Sequence, residues 1–127
     1  MPKLLLVHSD PKLTDIYSRK FQQHFAVDSA RSGLTALRKI RLAPPHIIFC
    51  QDELPYLSGF ALLRYLRRRP HLASIPFIFL SKDHAAPDAL SLGGNEWINT
   101  TKVDIGHLLD RALYHLTQNY RFFDPSN

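Results

Sequence analysis

The feature that most constrains this chain is a fivefold alternation of short apolar runs with amphipathic segments. Leu4-Leu5-Leu6-Val7 is unbroken, as a strand buried on both faces must be. Asp10-Pro11 then marks a helix start, an Asp cap with proline at the first helical position. Leu13, Ile16, Tyr17 and Phe21 follow at helical spacing. Phe25 to Ala30 predicts a second strand whose polar residues suit a sheet edge. Ser32-Gly33 opens a helix carrying Leu34, Leu37 and Ile40, and Pro44-Pro45 stops it. His46 to Gln51 is the most apolar strand. Gly59 to Arg69 predicts a helix with Phe60, Leu63 and Leu66 inward, and Ile75 to Ser81 a fourth strand. A short helix around Pro87 to Leu92 ends at Gly93-Gly94. Glu96 to Asn99 is a fifth strand, and Val103 to about Asn119 a last helix with Leu108, Leu109 and Ala112 inward.

Strands separated by helices require right-handed crossovers and a parallel sheet with helices on both faces. Five of each predict an α/β, doubly wound, five-stranded sheet in the flavodoxin-like order 2-1-3-4-5. The 127 residues suffice for one domain, expected over 1–119, with 120–127 as a tail or the start of a linker. A single cysteine excludes a disulfide framework and fits a reducing compartment, so a cytoplasmic location is expected. No apolar run reaches the roughly 18 residues of a membrane span. The net charge is +5. The cluster Arg64, Arg67, Arg68 and Arg69 suits a solvated helix end whose cations complement the helix dipole, so nucleic-acid binding is not expected of this domain alone.

In such sheets ligands bind at the carboxyl ends of the central strands. That places His8, Ser9, Gln51, Asp52, Ser81 and Thr100 around one mouth. The pieces at this mouth, Leu4 to Pro11, Pro45 to Gly59, Ile75 to Ser81 and Gly93 to Ile98, resemble in order and spacing the receiver domains of two-component response regulators, the CheY-like family. The resemblance covers about residues 3 to 117. It implies a signalling module rather than an enzyme. In the family an aspartate ending the third strand accepts a phosphoryl group from a histidine kinase. Two acidic residues ending the first strand hold Mg²⁺, and a Ser/Thr and a Lys contact the phosphoryl oxygens. That chemistry needs oxygen ligands for a hard cation, a carboxylate nucleophile and cations aimed at developing charge.

This chain departs from the pattern. The acidic pair falls on His8 and Ser9, the acceptor on Gln51 and the lysine on Thr100; only the Ser/Thr position is kept, as Ser81. A glutamine amide forms no acyl phosphate. The expectation is therefore an atypical pseudo-receiver, with no cofactor, no bound Mg²⁺ and a fold that needs no metal. Two alternatives stay open: a receiver still phosphorylated at an unusual carboxylate in a Mg-dependent phosphorelay, and an N-terminal regulatory domain of a larger DNA-binding or other effector protein. Asp10, Asp52 and Glu53 are the residual carboxylates near the mouth. Helix capping is the expected role of Asp10. Strand alternation is expected to turn Asp52 away from the mouth, or out to solvent. Glu53 and Lys102 are within reach of it.

Trp97 occupies the family's aromatic switch position on the fifth strand. The resemblance places the partner surface on the fourth helix, fifth strand and fifth helix. Here that face holds Ala86, Leu90, Trp97, His107, Arg111 and Tyr114. The expected partner is a signalling protein or a second copy. His8 is a candidate substitute switch, because protonation would put a cation where the family has anions.

Overall fold

The computed structural model describes residues 1–83 and 88–120. Ten elements alternate along it: β1 (Lys3–Val7), α1 (Pro11–Phe21), β2 (Ala26–Ala30), α2 (Gly33–Leu42), β3 (Ile47–Gln51), α3 (Gly59–Arg67), β4 (Phe77–Ser81), α4 (Asp88–Ser91), β5 (Glu96–Asn99) and α5 (Ile105–Tyr120). The strands form one parallel sheet in the order β2-β1-β3-β4-β5. This is the doubly wound order expected from the alternation, with β2 at an edge.

Side-chain alternation along each strand sorts the core into two layers. Leu5, Val7, Ile48, Cys50, Phe77 and Phe79 face the layer of α2, α3 and α4. Leu4, Leu6, Ile47, Phe49, Ile78 and Leu80 face α1 and α5. Both layers are apolar, which is why the central strands read as unbroken hydrophobic runs. Among the described residues four helices carry side-chain caps; at α5 Asp104 accepts from the His107 amide at 3.0 Å. Asp10 accepts from the Lys12 amide at 2.8 Å, Ser32 from Thr35 at 3.1 Å and Ser58 from Ala61 at 3.1 Å. Each is worth about 1 kcal/mol.

The boundaries differ from the sequence expectations at strand starts. β2 begins at Ala26 rather than Phe25, and β4 at Phe77 rather than Ile75. Phe25 and Ile75 are buried in the turns before those strands, where burial without ladder pairing gives the same apolar signal. α5 starts at Ile105 rather than Val103 and reaches Tyr120. Ile16 and Leu34, expected on buried helix faces, are 51% and 40% exposed. In α1 the buried stripe is filled by Tyr17 and Phe21, and in α2 by Ala36 and Ile40. Ala86, Pro87 and residues 121–127 lie outside the described residues.

Candidate functional site at the carboxyl ends of the strands

The exits of β1, β3, β4 and β5 surround a recess of about 320 Å³. His8, Gln51, Asp52, Ser81, Lys82 and Thr100 line it, together with Glu53 and Asp83. The sheet's alternation decides which way each points. His8 and Gln51 continue the parity of Leu4–Leu6 and Ile47–Phe49, toward α1 and α5. Asp52 and Ser81 continue the parity of Cys50 and Phe79, toward α3.

On the first side Gln51 closes the β1 exit onto β3. Its amide oxygen accepts both the Ser9 backbone N–H and the Ser9 hydroxyl, each at 2.8 Å. His8 is buried, 6% exposed, in a T-shaped contact with the Tyr17 ring. Its Nδ1 accepts the Asp10 N–H at 3.1 Å, a bond that requires the neutral ring with its proton on Nε2. Burial holds the His8 pKa below its ordinary 6.5; Asp10 and Asp52 oppose the shift and Lys82 adds to it.

The sign of the resulting pH dependence follows directly. Above pH 6.5 the ring is neutral in both folded and unfolded chains, and its contribution to stability is fully present. As pH falls through 6.5 toward the lower folded value, the unfolded chain takes up a proton that the folded chain resists, so stability is lost. Urea unfolding at about pH 7.5 and about pH 5.5 should therefore show a smaller loss for His8→Asn than for the parent chain. Asparagine keeps a neutral acceptor and removes the titration. An identical loss in both proteins would refute this assignment.

On the second side the Ser81 hydroxyl donates to Asp52 Oδ2 at 2.9 Å and accepts the Asp83 N–H at 3.0 Å. Thr100 donates to the Ser81 carbonyl through its N–H at 2.8 Å and its hydroxyl at 3.2 Å. The expectation that Asp52 turns away from the mouth is corrected here. Asp52 does lie on the opposite sheet face from Gln51, but β3 has ended, and at the strand ends both faces open on the same recess. Carboxylate oxygens of Asp52, Glu53 and Asp83 come within 4.8 Å of one another. Asp10 does not line the recess; its carboxylate caps α1. Lys102 is not among the lining residues either. Lys82 is the lysine that lines it, and its signal in the sequence is adjacency to Ser81.

Trp97 and the residues grouped with it in the sequence fall on two layers. Trp97 faces the α3 side, its ring against Phe79 at 5.3 Å and Phe60 at 6.2 Å, and its Nε1–H donates to the Asp83 carbonyl at 3.2 Å. That bond ties the tryptophan to the rim of the recess. Its β5 neighbour Glu96 points to the α5 layer and holds Arg111 through paired bonds of 2.9 and 3.0 Å, with His115 Nε2 at 2.7 Å. Burial pushes the Glu96 carboxyl up, but the Arg111 and His115 bonds outweigh it and bring it below its ordinary value. Leu90, His107 and Tyr114 are exposed.

Comparison with known proteins agrees with this geometry. The family model of the response regulator receiver domain matches residues 4–110. A probable cyclic di-GMP phosphodiesterase of Vibrio cholerae is 28% identical over 124 residues, covering 95% of this chain and 28% of that protein. A DNA-binding dual master transcriptional regulator of Synechocystis, RpaA, is 25% identical, covering 88% of this chain and 48% of that one. The chain thus spans less than half the length of these curated relatives. Among solved structures, a Francisella response regulator receiver domain superposes with a TM-score of 0.84 at 24% identity, covering 93% of this chain and 98% of the other. A CheY-like receiver protein of Methanospirillum hungatei gives 0.85 at 20%, covering 95% and 98%. At these identities the superpositions establish the fold, and the family model establishes the kinship: the chain belongs to the response regulator receiver domains of two-component signalling.

Proposed function

We propose that this receiver domain signals without conventional aspartyl phosphorylation and acts by binding a protein partner. The partner surface is the face of α4, β5 and α5, and the setting is the cytoplasm. One observation carries the reading. Gln51 stands at the acceptor position, and its only acceptor oxygen is engaged by the Ser9 amide and hydroxyl. A neutral amide is no nucleophile toward phosphorus. His8, Ser9 and Gln51 also offer Mg²⁺ no carboxylate, so the residues at the family's metal positions do not fit that ion. The buried neutral His8 argues equally against a cationic switch near neutral pH. The lengths of the curated relatives favour a regulatory role within a larger effector, which is compatible with this reading.

A second reading, phosphorylation at Asp52 in a Mg-dependent relay, is favoured by the bond from Ser81 to Asp52 Oδ2. Amide NMR spectra with Mg²⁺, and then with Mg²⁺ and beryllofluoride as a phosphoryl mimic, separate the two. The expected result is no saturable shift at Ser9, Gln51, Ser81 or Thr100. Saturable shifts at Ser81 and Asp52 that spread to Trp97, and that vanish in Asp52→Asn, would establish the second reading instead.

A further inference from the structure

The positive charge of this chain is not spread evenly. Residues 29–51 and 54–82, which include α2 and α3, hold no Asp or Glu. α2 and α3 pack side by side over the same core layer. Arg31, Arg38, Arg41, Arg64 and Arg68 on this layer are exposed. Among the described residues none of them has an ion-pair partner; Lys39 does, through Asp28 at 2.9 Å. An acid-free pair of helices with five exposed arginines that have no ion-pair partner among the described residues is an electrostatic footprint for a negatively charged partner.

The apolar residues on the same layer narrow the choice. Leu34, Leu37, Arg38, Arg41 and Leu42 line one shallow recess of about 500 Å³ along the outer side of α2. Leu42 is 87% exposed, and Leu34 is one of the two residues whose exposure the sequence pattern missed. Leucines flanked by arginines match the makeup of a protein interface, where apolar anchors sit inside a polar, Arg-enriched rim. Phosphate backbones offer such leucines nothing to bury against. A second copy docked through this same face would set arginines against arginines, since a two-fold interface pairs a patch with itself.

We propose that the outer face of α2, with the arginines of α3 beside it, is a docking surface for an acidic amphipathic helix of a partner protein. Leucine or similar side chains of that helix seat among Leu34, Leu37 and Leu42, and its carboxylates pair with Arg38 and Arg41. Guanidinium groups suit this task because they bind carboxylates bidentately. The surface is distinct from the α4–β5–α5 face and from the strand-end recess, so its failure would leave the reading of Gln51 intact.

The test uses fluorescence anisotropy with a labelled synthetic peptide of roughly four helical turns, bearing Leu at i, i+3 and i+7 and Glu on the flanks. Its comparators are a scrambled peptide of the same composition and a short DNA duplex. The patterned peptide should bind at least about tenfold more tightly than the scrambled one, a difference anisotropy resolves easily. The double substitution Arg38→Glu/Arg41→Glu should remove that advantage, and so should Leu34→Ser/Leu42→Ser. Arg38, Arg41 and Leu42 are exposed and Leu34 is 40% exposed, outside the buried core, so the amide spectrum should show both variants folded. Arg38→Lys/Arg41→Lys, which keeps charge and loses the fork, should weaken binding less than charge reversal. Equal affinity for both peptides, preference for DNA, or indifference to the arginine and leucine changes would each overturn the proposal.

Discussion

On the reading proposed for Gln51, replacing four residues, His8→Asp, Ser9→Asp, Gln51→Asp and Thr100→Lys, should confer a phosphate acceptance that the parent chain is expected to lack. In Mg²⁺ and a small acyl phosphate donor the parent chain should show no phosphate adduct by intact-mass spectrometry, while the variant should show one that disappears with chelator. Each change supplies one group that the chemistry needs. An aspartate at 51 provides the nucleophile: its carboxylate oxygen bonds to phosphorus as the bond to the donor's acyl oxygen breaks and the carboxylate leaves. Aspartates at 8 and 9 provide hard oxygen ligands. A lysine at 100 adds a cation beside Ser81, whose carbonyl already holds the Thr100 amide at 2.8 Å. The same change should make the metal-free fold weaker. Asp52, Glu53 and Asp83 already share the recess, and three further carboxylates raise one another's pKa. A shift of one or two units in total corresponds to a loss of about 1–3 kcal/mol, recovered when Mg²⁺ is added. A parent chain that is itself labelled in Mg²⁺ would sink the reading of Gln51. A folded variant that stays unlabelled would show that these four positions do not suffice for aspartyl phosphorylation.

The strand order and both core layers were legible in the sequence, because a buried parallel strand has to be a continuous apolar run and Leu4–Val7 and Ile47–Cys50 are such runs. The identity of the strand-end residues was legible for the same reason: once a strand is placed, its exit residues are fixed. What was not legible is the direction of side chains where regular structure stops. Asp52 sits one residue past β3, and only the three-dimensional position of Ser81 on β4 shows that its carboxylate turns into the recess. Lys82 is a similar case, a loop residue whose reach depends on how the chain leaves β4. Ile16 and Leu34 failed for a different reason. Helical spacing marks a face wider than the stripe a sheet can cover, and the residues at its margin stay in water. Trp97 was correctly placed on β5, but neighbours in sequence-based groupings need not share a layer. Alternation sends Trp97 to α3 and Glu96 to Arg111 on α5.

Gly33→Ala should be among the most damaging single substitutions in the chain, with a net cost of about 3 kcal/mol, at the upper end of ordinary overpacking. A Cβ at this first residue of α2 would lie 1.9 Å from the Leu57 carbonyl oxygen and 2.7 Å from its carbonyl carbon. The obstacle is backbone, so no rotamer change relieves it. The gain of up to about 1 kcal/mol in helix propensity from removing a glycine is too small to compensate. The loop from Asp52 to Ser58 has to move, and its two ends are tied to the recess and to α3. Asp52 accepts from Ser81, and Gly59 packs so closely on the end of β3 that its own Cβ would stand 2.8 Å from the Gln51 carbonyl. Thermal unfolding should show a Tm lower by roughly 10 °C for a domain of this size. The amide signals of Leu57, Gly59 and Ser81 should shift together. Gly106→Ala is the milder comparison: its Cβ would meet the Asp104 carboxylate at 3.2 Å, an exposed side chain rather than backbone, although that oxygen accepts the His107 N–H at 3.0 Å and caps α5. The helix-propensity gain and the disturbance of that cap are each about 1 kcal/mol, so this substitution should change stability by no more than about 1 kcal/mol. Equal effects at the two glycines would mean that helix propensity, and not the contact between α2 and the β3–α3 loop, governs both. The loop would then be free to place Asp52 independently of α2, and the packing of α2 on that loop would not be what fixes the shape of the strand-end recess.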